Sequence, residues 1–282
     1  MSKTEVHENP MLPSKKLRQI YLAMAEARAL DDHITKLQGR IKRRRGPAST
    51  RGQEACRIST AIDLAPGDLI SDSQTGVVME RLAGESMNSL LQRASALCSG
   101  KKVKETKTAA VARRFLPWIK NPAERLRLAL GAALSFKVSG QPNVVVAYVR
   151  HGSVSKSEWR RVLSLAAKLE LPVTFVVLPS IRTKKTAENI SLSDRARRWG
   201  VPGVPVDAGD AMAVYRVAQE SLGRIRNGDG PVLIECLEFR NQGANDPLTQ
   251  LRDSLIHRKV CTKSWLSGID RDIRRRIEAA MR

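Results

Sequence analysis

The run Val144-Val145-Val146-Ala147-Tyr148-Val149 stops at Arg150-His151-Gly152, which places two basic side chains and a glycine at the end of an apolar segment. A guanidinium is permanently charged and forks onto phosphate or carboxylate oxygens, and an imidazole joins it once protonated. Ser153 to Ser155 then open a helical pattern, so backbone N–H groups without an intrahelical partner face the same point. A metal-free site for a small anion is one reading of these residues. The favoured reading is that Arg150 forms a salt bridge across the same pocket and closes it.

The flanking pattern supplies the elements that position these groups. An unbroken apolar run is the mark of a strand covered on both faces in a parallel sheet. Ser155 and Glu158 have capping-box spacing, and Val162, Leu165, Ala166 and Leu169 follow at helical spacing. Leu171 to Leu178 reads as a second buried strand, with Pro172 tolerable at its start. Strand, helix and strand make a right-handed crossover, and ligands of such sheets sit beyond the carboxyl ends of the strands. Arg150, His151, Gly152 and Pro179-Ser180 occupy those ends.

Elsewhere, Leu17, Ile20, Tyr21, Met24 and Arg28 mark one face of an N-terminal helix, and a basic loop over 42–52 leads into a helix from Gln53 to Leu64. Val78 to Leu97 is helical with a break near Gly84. Residues 99–112 have no apolar period and read as a loop or disordered insertion. Asn121-Pro122 starts a helix, Asp210 starts another that ends at Gly228, and Pro231 to Leu237 is a strand. A basic amphipathic helix over Ile269 to Met281 closes the chain. The expected organisation is a tail over 1–13, one α/β domain over 14–260, and a basic C-terminal helix within 261–282. Its expected core is a mostly parallel sheet with helices on both faces.

Composition bounds the function. With 49 Lys and Arg against 28 Asp and Glu, the 282-residue chain carries a net charge of +21. The basic runs, such as Lys42-Arg43-Arg44-Arg45 and Arg274-Arg275-Arg276, are dispersed, and aromatic residues are only 4%. That leaves little for base stacking, so nucleic-acid affinity is expected to be nonspecific only, and the charge suits a solvated face or an acidic partner. Cys56, Cys98, Cys236 and Cys261 have no metal-ligand or disulfide spacing and read as reduced thiols in a core. No apolar run is long enough to span a membrane and no cleavable signal opens the chain, so the cytoplasm is the expected compartment. Glu235 reads as a structural carboxylate paired with an arginine, and Glu54 as a helix-start acid. Trp118, Trp159, Trp199 and Trp265 read as packing residues, and His33 and His257 as surface or capping groups.

An ordered series of motifs carries a resemblance. Tyr21, Met24, Arg28 and Asp31 lead into Gln38-Gly39-Arg40-Ile41; Gly52-Gln53-Glu54-Ala55 and Ala65-Pro66-Gly67-Asp68-Leu69-Ile70 follow. Gly131 to Lys137, Trp199 to Gly203, Val206 to Asp210, Ala213-Val214-Tyr215, Gly228 to Glu235, Phe239-Arg240 and Asp246-Pro247 continue it. From about residue 17 to 250 the chain resembles the alpha subunit of thiamine-diphosphate-dependent 2-oxo acid dehydrogenases of the pyruvate, branched-chain and acetoin types. The resemblance implies the thiamine-diphosphate-binding fold and a separate beta-type subunit in a heterotetramer. In it the cofactor lies between the chains, and the beta chain carries the glutamate that activates the aminopyrimidine ring.

The departures fall on the cofactor positions. The family brackets a magnesium ion between Gly-Asp-Gly and Asn-Asn; here those read Arg150-His151-Gly152 and Pro179-Ser180. Magnesium prefers carboxylate and phosphate oxygen, which imidazole does not supply. The late Gly-His-Ser reads Gly243-Ala244-Asn245, the early Tyr-Arg-x-His reads Ser71-Asp72-Ser73-Gln74, and a Gly-Ser-Met-His is replaced by Gly100-Lys101-Lys102-Val103-Lys104. Arg150, His151, Gly152, Ser180 and Arg240 are thus family-equivalent cofactor positions without the family's chemistry. The expectation is no catalytic residue, no metal ligand, and no binding of thiamine diphosphate or magnesium. The chain is expected to be a noncatalytic scaffold or regulator of a beta-type partner. The alternatives are an active subunit with divergent cofactor contacts and a basic nucleic-acid-associated protein.

Overall fold

Apolar runs whose residues are buried on both faces form a parallel sheet because only flanking helices can cover both sides at once. In the computed structural model, which describes residues 12–39, 49–72, 77–99, 114–179, 191–238 and 246–280, five strands do this. They are β1 (Leu69–Ser71), β2 (Val145–Arg150), β3 (Val173–Leu178), β4 (Gly203–Asp207) and β5 (Val232–Leu237). Their order is β1-β2-β3-β5-β4 and all pairings are parallel, with Val146 opposite Thr174 and Val176 opposite Ile234. The fold is the α/β architecture that the sequence pattern indicates.

The helices among the described residues are α1 (Ser14–Gly39), α2 (Glu54–Ala61), α3 (Val77–Leu82), α4 (Met87–Cys98), α5 (Pro122–Val138), α6 (Lys156–Lys168), α7 (Leu192–Arg198), α8 (Ala211–Arg226), α9 (Pro247–His257) and α10 (Lys263–Ala280). Capping fixes several starts: Ser155 accepts from the Glu158 amide, Asn121 from Ala123, and Asp210 from Met212 and Ala213. Helices α5, α6 and α7 cover one face of the sheet through Leu126, Val162, Leu163 and Ala196 against Val149, Phe175 and Val177. Helices α2 and α8 cover the other through Cys56, Val214 and Leu222 against Val146, Tyr148 and Ile234. Helices α1, α4, α9 and α10 form a further layer outside α2 and α8.

One detail of the helical face departs from the sequence pattern. On α6 the buried residues are Trp159, Val162, Leu163 and Ala166, while Leu165 is exposed. The stripe starts one turn earlier than the apolar count suggests, because Trp159 packs edge-on against Phe175 at 6.0 Å and sets the rotation of the helix. Of the tryptophans, Trp159 is core, whereas Trp118 lies largely exposed.

The layers are pinned by a buried arginine. Arg28, midway along α1, donates through Nε to Glu54 Oε1 at 2.5 Å and through a terminal nitrogen to Asp246 Oδ1 at 2.6 Å. Glu54 is the first residue of α2, and Asp246 caps α9 by accepting from the Thr249 amide and hydroxyl. Burial opposes the charge on Arg28, but the two carboxylates more than offset it and raise its pKa, and they do so with charge-assisted hydrogen bonds. Removing one member of such a set leaves another buried and uncompensated. Arg28→Ala is expected to lower the unfolding free energy by about 3–5 kcal/mol, measured by urea titration. A loss under about 1 kcal/mol, the value of an exposed pair, would show that the three groups are not coupled.

Candidate functional site

The carboxyl ends of the strands gather the polar groups. The β2 ladder runs one residue past the strand, as the His151 amide donates to the Leu178 carbonyl at 2.9 Å. The chain then turns at Gly152, whose φ of +76° is in the left-handed region. Ser153 closes that turn by donating through its amide and hydroxyl to the Arg150 carbonyl. The Arg150 side chain is exposed, and among the described residues no carboxylate pairs with it. Among the described residues the salt bridge favoured for it is not made.

His151 instead faces the buried acid. Its Nε2 lies 3.7 Å from Glu235 Oε1, two strands away on β5; this is an ion-pair distance but longer than a hydrogen bond. Glu235 is 1% exposed. Its Oε1 accepts from the Leu192 amide at 3.1 Å, and its Oε2 accepts from the Ser193 amide and the Ser191 hydroxyl, both at 2.8 Å. The expected partner was an arginine. The partner found is the first turn of α7, whose orphan amides solvate the carboxylate, with His151 rather than an arginine at ion-pair distance. Gly203 permits this approach: a Cβ there would sit 2.2 Å from the Ser193 carbonyl oxygen.

A second buried pair lies beside the site. Arg57 is wholly buried, its guanidinium bonded to Asp72 just after β1 and to Gln53 Oε1 at 3.1 Å. It also sits 5.5 Å from the centre of the Tyr148 ring, and the Tyr148 hydroxyl meets Thr60 Oγ1 at 2.7 Å. Burial raises the Tyr148 pKa, so the phenol stays neutral. Sequence reasoning passed over this network, although an arginine on the inner face of α2 and an acid at a strand end were its visible signal. Of the family-equivalent positions, the structure brings His151 and Gly152 to the strand ends beside Arg150. Ser180, Arg240 and Ala244 lie outside the described residues, as do Ser73, Gln74 and the stretch 100–104. Among the described residues, no three His, Cys, Asp or Glu side chains converge as a metal-binding set.

Burial alone would raise the Glu235 pKa, but the Ser193 and Leu192 amides and the serine hydroxyls hold it below the ordinary carboxylate range. A depressed acid stabilises the fold above the ordinary carboxylate range and loses that contribution as pH falls through the depressed value. Glu235→Gln is therefore expected to cost about 1.5–3 kcal/mol near neutral pH. The gap to the parent should close as urea titrations are carried from about pH 7 to about pH 3. A gap that stays constant through the acid range would refute the assignment.

The family model described as "Dehydrogenase E1 component" matches residues 22–245. The alpha subunit of acetoin:2,6-dichlorophenolindophenol oxidoreductase from Bacillus subtilis is 30% identical over 250 residues, covering 84% of this chain and 73% of that protein. The 3-methyl-2-oxobutanoate dehydrogenase alpha subunit of Mycobacterium tuberculosis is 28% identical, covering 84% of this chain and 65% of that one. The pyruvate dehydrogenase E1 component alpha subunit of Staphylococcus aureus is 28% identical, covering 87% and 66%. The chain thus spans about two thirds to three quarters of the length of these relatives. With the match running through α1, the whole sheet and the strand ends, the chain belongs to the dehydrogenase E1 component family, on the side of its alpha subunits.

Proposed function

We propose that this chain is an alpha-type subunit of a 2-oxo acid dehydrogenase that has lost catalysis and serves a beta-type subunit as scaffold or regulator within a heterotetramer. The observation that carries the reading is the end of β2. A magnesium ion bridging a diphosphate needs hard oxygen donors there. The residue in place is His151, an imidazole facing a carboxylate whose two oxygens are already taken by α7. Arg150 adds a fixed positive charge where a cation would approach. The residues described at this point do not fit magnesium–thiamine diphosphate. Ser180, Arg240 and Ala244 add to the reading from sequence alone.

A working subunit with altered cofactor contacts is the second reading. The intact left-handed turn at Gly152 and the capped start of α6 favour it, since both are the local geometry of a phosphate-facing strand end. Calorimetry separates the two. The chain, copurified with its beta-type partner, is expected to give no magnesium-dependent heat with thiamine diphosphate, and His151→Asp alone is expected not to restore it. Micromolar, magnesium-dependent binding by the parent would overturn the noncatalytic reading.

The partner reading has a surface to test. On α5, Gly131, Leu134, Ser135 and Val138 share one exposed face; Val138 is 80% exposed and Leu134 39%. The Arg127–Glu158 and Lys137–Glu170 ion pairs hold α6 alongside, and α6 adds Leu165 at 47% exposure. A Cβ at Gly131 would meet nothing within 4 Å, so the chain's own packing does not call for glycine there. Glycine inside a helix costs about 1 kcal/mol against alanine, and close approach by another chain accounts for it. The rim carries Arg127, Lys137, Arg160 and Arg161, which suits a beta-type face with an apolar centre and acidic edge. Expressed alone, the chain is expected to self-associate. Val138→Glu should weaken copurification with the beta-type subunit at least tenfold while leaving the unfolding midpoint unchanged. A monodisperse monomer at high concentration would contradict this surface.

A further inference from the structure

We propose that the recess between α1, α2 and α3 binds an amphipathic monocarboxylate, an apolar tail that ends in a single carboxylate. The recess measures about 470 Å³, within the range of small-molecule sites. Its apolar lining comes from Leu22, Ala23 and Ala27 of α1, Ile58 of α2, and Val78 and Leu82 of α3. Along α1 the lining runs from Lys16 to Ala27, a length of about 16 Å at the helical rise. Ala27, Ile58 and Val78 are buried, so the floor reaches the core of the outer helical layer. Close-packed interiors leave few voids larger than a water molecule. Alanine at 23 and 27, one turn apart on α1, keeps this one open. None of the cofactor-equivalent positions lines it.

The polar groups at the recess select the charge of the ligand. Its one lining acid, Glu26, has both oxygens taken: Oε2 by Arg81 Nε at 3.0 Å, and Oε1 by a terminal nitrogen of Arg276 from α10 at 2.7 Å. Asp63 holds the Lys16 ammonium at 2.6 Å and gives its other oxygen to the Tyr215 hydroxyl, also at 2.6 Å. Cation is in excess at the Glu26 end, where Arg81, Arg275 and Arg276 share Glu26 and Asp272. One terminal nitrogen of Arg81 reaches the Glu85 carbonyl; the other has no partner among the described residues. Lys16 has three N–H bonds to offer and spends one on Asp63. A carboxylate accepting from Arg81 satisfies that open nitrogen with a charge-assisted hydrogen bond, and its tail lies against the alanines of α1. An ammonium head would meet cations there instead, and a neutral tail would cover the guanidinium without pairing it.

Calorimetry of the full-length chain with octanoate, decanoate and dodecanoate, each below its micellar concentration, tests the site. Octanol and octylamine are the head-group controls. The carboxylates are expected to bind at a single site about tenfold or more tightly than octanol, the worth of a hydrogen bond to a charged group, and octylamine is expected to give no heat. Arg81→Gln should weaken carboxylate binding about tenfold, while Arg276 still holds Glu26. Ala23→Phe leaves every charge in place and should abolish binding by filling the recess. Circular dichroism checks that both variants are folded. Carboxylate binding that survives Ala23→Phe, octylamine binding equal to that of octanoate, or no heat with any carboxylate would overturn the proposal. So would a change of oligomeric state in Ala23→Phe by sedimentation velocity, which would make the recess a contact between copies of the chain.

Discussion

The arrangement depends on one buried cation. Arg28 reaches from the outer helical layer to the first residue of α2 and to the cap of α9, joining three segments that the sequence keeps far apart. A pair of this kind stabilises little relative to an apolar substitute, but it fixes geometry, because any other seating leaves a charge buried and alone. With α2 fixed, Arg57 is held against Tyr148 and Asp72, and the carboxyl ends of β1 and β2 acquire a defined relation to the helix above them. The strand-end chemistry is downstream of that seating.

The second constraint is electrostatic self-sufficiency. A strand end shaped around a divalent cation leaves acids in need of a counter-charge when the cation is absent. Here the buried acid near the β2 end, Glu235, is neutralised by amides and hydroxyls of α7, with His151 at ion-pair distance on its open side. The close contact of Ser193 with Gly203 seats that helix start on the edge strand. The carboxylate is therefore solvated by groups of the chain itself.

Much of this was legible in the sequence. The apolar runs of β2, β3 and β5 and the caps at Ser155, Asn121 and Asp210 are local signals, and the structure follows them. β1 and β4 were visible only as motif matches: the first has three residues, the second carries Pro205, and neither has a period to read. Leu165 was assigned inward by spacing and lies outward, because a bulky Trp159 rather than the count sets the face. The partners of Arg28, Arg57 and Glu235 were not legible. Their types announced buried charge, but pairing across the fold is a property of topology that no local window contains.

The central claim is that an alpha-type fold persists here without its chemistry. Turnover by the reconstituted pair tests this most directly. The chain would be mixed with its beta-type partner, excess magnesium and thiamine diphosphate, and 2-oxo acids of the pyruvate and branched-chain types, with reduction of an artificial electron acceptor followed. The account expects a rate no different from that of the beta-type subunit alone. Saturable, thiamine-diphosphate-dependent reduction that requires this chain would contradict it.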